Sequence, residues 1–131
     1  MDLLKLTALS NSLLKLHKSL LDFQKVVTEK KTGKTMNPYE MLDAALNHPD
    51  FRWLKPISQM IVEIDLAYDQ EKAGTKPVLE SENSPDFDPK KIKMFWENPP
   101  QDFQEVLIKA IEHNPDISFF FSEVRLKASE L

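Results

Sequence analysis

The sequence predicts an all-α fold: one domain over residues 1–131, a bundle of four long helices plus one or two short ones. Three observations carry this. Two glycines, Gly33 and Gly74, stand against nine prolines, the balance expected of helices separated by hard stops. No Asn-Gly or Asp-Gly hairpin turn is present, and no two-residue alternation is sustained. Apolar residues instead recur at steps of three and four. With 131 residues and 41% hydrophobic content, the chain can fill one modest core.

The first helix is expected from about Asp2 to Lys31. Leu6, Leu9, Leu13, Leu16, Leu20, Phe23 and Val27 form its main row. Leu3, Leu14 and Leu21 add a second row, so the apolar arc is wide enough to need more than one neighbour. Gly33 supplies the stop, with Lys30, Lys31 and Lys34 suited to the negative end of the helix dipole. "NPYE" at 37–40 is a helix start, with Asn37 as cap, Pro38 first and Glu40 closing the capping box. That second helix carries Met41, Leu42, Ala45 and Leu46 and ends near Asn47. A third opens around Pro56, with Ile57, Met60, Ile61, Ile64 and Tyr68 on one face. Residues 74–88 have the proline, serine and acid content of a mobile surface loop. A short helix follows, capped by Asp88. The fourth helix follows Pro100, with Phe103, Val106, Leu107, Ala110 and Ile111 inward. The fifth starts after "NPD" and buries Ile117, Phe120, Phe121 and Val124. The core is expected to set the first helix against the second and third, with the last two closing it.

"ALNHPDFRWL" and "AIEHNPDISFF" echo each other. In both, proline should stop one helix, aspartate should cap the next, and the aromatics should wedge the pair together. In "HPDFRWLKP", Phe51, Trp53 and Leu54 read as wedges, while His48 and Arg52 face water.

Composition excludes much. The net charge is −4, and "EKKTGK" and "KKIK" are the main basic runs, so no nucleic acid is expected. There is no cysteine, hence no disulfide or thiolate chemistry. The leucine-rich N-terminus is interrupted by polar residues every two or three positions. It therefore reads as neither signal peptide nor membrane span, and a cytoplasmic location with no membrane partner is expected. The histidines at 17, 48 and 113 lie on separate elements, so no metal site is expected. Phosphate-loop and nucleophile-elbow patterns are absent, and no cofactor or catalytic residue is assigned.

One line of the first helix does stand out. Ser10, His17 and Gln24 stack seven residues apart, between the two leucine rows. Polar groups inside an apolar arc need partners, since an unpaired buried group costs about 1–3 kcal/mol. Asp65 on the third helix is the expected partner of His17; Glu63 should point away. A polar pocket or buried polar pair is thus drawn around Ser10, His17, Gln24, Trp53 and Asp65. At "SFFF", three aromatics cannot all face one core, so Phe119 is expected to be exposed or in an interface.

"LLKLHKSLLDFQK" followed by "LNHPDFRWLKPISQMIVEIDLAYD" resembles a family of small, uncharacterised bacterial all-helical proteins. The matching positions are Leu16, His17, Pro49, Phe51, Trp53, Leu54, Pro56, Ser58, Ile61, Ile64 and Asp65, and the likeness covers about half the chain. It implies a bacterial source, a helical fold and proximity of His17, Trp53 and Asp65; it implies no activity. The expected function is a non-enzymatic protein-interaction domain, self-associating as a homodimer or binding a protein partner through the first helix or the Phe119 region. The alternative is a small-ligand-binding or catalytic domain with its pocket around His17, Trp53 and Asp65.

Overall fold

A computed structural model describes residues 2–73 and 87–131. Among them lie six α-helices, one 3-10 segment and no strand. The loop expected at 74–88 falls outside the described residues except for Phe87 and Asp88.

Helix α1 spans Leu3–Thr32, with the Asp2 carboxylate accepting from the N–H of Leu4 at 2.8 Å. It stops where Gly33 takes φ 72°, a left-handed conformation that costs glycine little, and Gly33 N–H closes on the Glu29 carbonyl. Leu6, Leu9, Leu13, Leu16, Leu20 and Phe23 are buried as the spacing requires. The row then departs from expectation, because Gln24 and Thr28 are buried while Val27 is partly exposed. A straight helix drifts by about 20° per heptad, so after three heptads the inward position has moved on by one residue. The second row is thinner than expected. Leu21 packs against the core, but Leu14 is 49% exposed.

Helix α2, Pro38–Asn47, opens with the predicted reciprocal cap between Asn37 and Glu40. A 3-10 segment, Pro49–Leu54, forms the corner, and α3 follows at Lys55–Ala73. Helix α4 is Pro89–Glu97, α5 is Gln101–His113 and α6 is Asp116–Ser129. The order of packing corrects the expected core. The largest neighbour of α1 is α6, then α3, while α2 docks chiefly on the corner. Only Ala44 of α2 is buried; its leucines stay outside. Met41 packs partly against the core beside Ala44, which leaves Tyr39 and the two leucines outside. Ser12, buried on α1, donates to Glu123 of α6 at 3.0 Å and helps fix that unexpected pairing.

An aromatic cluster closes the far side. Trp96 lies 5.0 Å from Phe95, 6.2 Å from Phe103 and 5.7 Å from Phe121 between ring centres, and Phe103 in turn meets Trp53 at 5.7 Å. It joins the corner to α4, α5 and α6.

Candidate functional site

The two Pro-Asp corners are built alike, though not by the cap expected. His48 Nδ1 accepts from the N–H of Asp50 at 3.1 Å, and Asn114 Oδ1 accepts from the N–H of Asp116 at 3.1 Å. The cap is therefore the residue before proline, and aspartate occupies the first turn instead. In both corners the residue after aspartate, Phe51 or Ile117, bonds back to that capping residue's carbonyl and is buried. Proline has no N–H to satisfy, so the preceding side chain is free to serve the next donor. Arg52 is exposed as expected, Trp53 is half-buried, and Lys31 reaches Asp50 at 3.3 Å.

The polar line of α1 finds partners on the corner and α3. Ser10 donates to Asp65 at 3.4 Å, His17 Nε2 lies 2.9 Å from Ser58 Oγ, and Trp53 Nε1 donates to Gln24 Oε1 at 2.9 Å. Gln24 also donates to Thr28 at 3.2 Å. The helices run antiparallel, so seven residues forward on α1 match seven back on α3, from Asp65 to Ser58. From Ser58 to Trp53 five residues suffice, because 3-10 backbone rises about 2.0 Å per residue against about 1.5 Å in α-helix. The expected His17–Asp65 pair does not form: Asp65 serves Ser10, and His17 takes Ser58. Ser58 has no signal in the sequence beyond its place in the corner pattern and its lying seven residues before Asp65. Ser10, His17, Gln24, Trp53 and Asp65 are thus strung along a seam and do not converge on one pocket.

His17 alone of these opens onto a surface groove of about 1000 Å³. Its floor is Leu21, His17, Leu54 and Ser58. One wall is α2, through Leu42, Ala45 and Leu46; the other is α3, through Gln59, Val62 and Glu63. His48, Phe51, Arg52 and Lys55 close the corner end. A second, smaller hollow of about 350 Å³ lies between α4 and α6, beside Lys93 and Arg125. Phe119 is 74% exposed on α6, while Phe120 and Phe121 pack inward in part.

Chemically, the floor is a neutral polar pair. Burial disfavours the imidazolium and lowers the pKa of His17 from the ordinary 6.5. Ser58 also lies 3.4 Å from the Leu54 carbonyl, one turn earlier in the chain. When Ser58 donates there, His17 Nε2–H is the donor to Ser58; the opposite ring tautomer lets Ser58 donate to His17 instead. Among the described residues no three His, Asp or Glu side chains are grouped to hold a metal ion.

The lowered pKa sets a pH dependence. The unfolded chain takes up the His17 proton more readily than the folded one, so this contribution to stability is complete above pH 6.5 and is lost as pH falls below it towards the folded pKa. The urea midpoint is expected to drop between about pH 7 and about pH 5, and His17→Gln is expected to remove that histidine's share of the slope. His48, Arg52, Lys55 and Glu63, which border the same groove, remain unchanged in the variant. An identical slope in the variant would place the acid sensitivity elsewhere.

The fold and this surface define the chain as an all-helical protein with an open, mixed apolar and polar groove beside its central helix. No helix among the described residues is long and apolar enough to cross a membrane. The chain matches no known family, no curated protein and no solved structure in comparisons with each.

Proposed function

We propose that this chain is a non-enzymatic interaction module that docks a protein partner in the groove between α2, the corner and α3. The observation that carries the reading is the side of α2 turned to the groove. Leu42 is 61% and Leu46 74% exposed, and both border a channel walled on its far side by Val62. Apolar side chains converging on one channel mark a binding surface more strongly than a single exposed aromatic does. The proposed interface takes in His17 and Leu21 of the first helix at its floor, but lies chiefly on α2, the corner and α3, away from Phe119. The inner rows of α1 are covered by α3 and α6, and Phe119 stands as one exposed ring. Kinship with the bacterial helical proteins whose corner pattern this chain resembles belongs to the same proposal, since His17 and Ser58, two positions of that pattern, meet on the groove floor. A cytoplasmic setting is proposed with it, supported by the lack of cysteine.

The test is photocrosslinking inside cells with benzoylphenylalanine placed at position 46 or at position 119. A discrete protein adduct from position 46 is expected, with none from 119. Adducts from 119 alone would overturn the groove as the docking face.

A further inference from the structure

Resting on the groove reading above, we infer that the groove's occupant is α2 of a second copy of this chain, in a symmetric dimer. Tyr39, Leu42 and Leu46 stand at i, i+3 and i+7, within about 60° of one another around the helix. They point away from Ala44 and Met41, through which α2 is anchored, and Tyr39 is the most exposed of them at 85%. Helices this short are marginal without tertiary packing, yet this one packs only Ala44 and Met41 inward and leaves Tyr39 and both leucines largely uncovered. Its own chain gives them no cover; a partner would.

Charge identifies the partner. The only charged side chains over Pro38–Asn47 are Glu40 and Asp43, both acidic. Arg52 and Lys55 close the corner end of the groove, both exposed, and neither has an acidic partner within ion-pair reach among the described residues. Glu63 borders the α3 wall, eight residues further on than Lys55, so the positive charge is concentrated at the corner. One chain thus carries both halves of an interface: an acidic helix with an apolar stripe, and an apolar channel with a cationic end. Within one chain α2 forms the wall of the channel and cannot also lie along it. In a twofold pair, each α2 enters the other's channel, and every contact is made twice. Asp43 is the acid best placed for Arg52 and Lys55 of the other copy. It lies about 40° from Tyr39 around the helix, and the hydrogen bond it accepts from Asn47 at 2.9 Å leaves acceptor capacity free.

Sedimentation equilibrium on the full chain tests this through Asp43→Arg and Lys55→Glu. Both positions are exposed, so both variants should keep the wild-type helical circular dichroism. The wild type is expected to dimerise in the micromolar range. Each variant alone should dimerise at least about tenfold more weakly, because like charges then face each other at two symmetric contacts. Mixed in equal amounts, the two variants should recover a heterodimer, since each reversed charge meets its opposite. A wild type that stays monomeric throughout that range overturns the inference. So does a dimer indifferent to both substitutions, or a mixture that fails to recover. A monomeric wild type combined with a position-46 crosslink to a protein of different mass would leave the groove reading intact and remove only the second copy.

Discussion

Trp96→Ala is expected to lower the unfolding free energy by about 3–5 kcal/mol, the range for emptying a large aromatic site in a core. Domains of this kind have about 5–15 kcal/mol in total, so the variant should lose a large share of its stability. Trp96 is fully buried and is the hub of the ring cluster that ties α4 to α5 and α6. Its neighbour one turn earlier, Ile92, is the only other buried residue of α4. Removing the indole therefore takes away most of what holds that nine-residue helix in place. A second substitution separates packing from polarity. The Trp96 Nε1–H has no hydrogen-bond partner among the described residues, and an unpaired buried donor costs about 1–3 kcal/mol. Trp96→Phe loses ring volume but also removes that donor, so it should be far less damaging than alanine. Urea unfolding followed by far-UV circular dichroism reads both. Equal losses in the two variants would mean that the indole N–H is satisfied, or that the cluster does not depend on the ring's bulk.

The second large effect contrasts two leucines only two positions apart. Leu16→Ala should cost about 2–5 kcal/mol, because Leu16 is fully enclosed within the core around α1. Leu14→Ala should stay within about 0.5 kcal/mol, as Leu14 is half-exposed and alanine is a better helix former. The pair measures which face of α1 is enclosed. A reversed order would mean that α1 is rotated by roughly half a turn relative to the packing described, since two residues span about 200°.

The legible parts of this fold are those set within a few residues of chain. Caps at Asn37 and Asp88, the glycine stop at Gly33 and the inward row of α1 each follow from spacing or local chemistry. The need of Ser10, His17 and Gln24 for partners was equally legible, since it follows from their place between leucine rows. Which atoms would meet them was not. Partner choice depends on helix register, and register depends on where the 3-10 corner hands over to α3. That handover put Ser58 opposite His17 and left Asp65 for Ser10. The cap of each Pro-Asp corner was missed for a related reason, because a side chain before proline can turn forward only in the geometry the corner itself creates.

By itself, then, the sequence determined the helices, most of their ends, and the face of α1 that had to be enclosed, because those depend on periodicity and on hydrogen bonds local to each segment. Tertiary structure decided that α6 rather than α2 lies along α1. It also decided that the leucines of α2 look outward onto a groove and that His17 forms part of its floor. Apolar periodicity records that a face must be covered, but not by which neighbour. Several helices here carry faces of similar width, and only the competition among them for the sides of α1 settles which is left over.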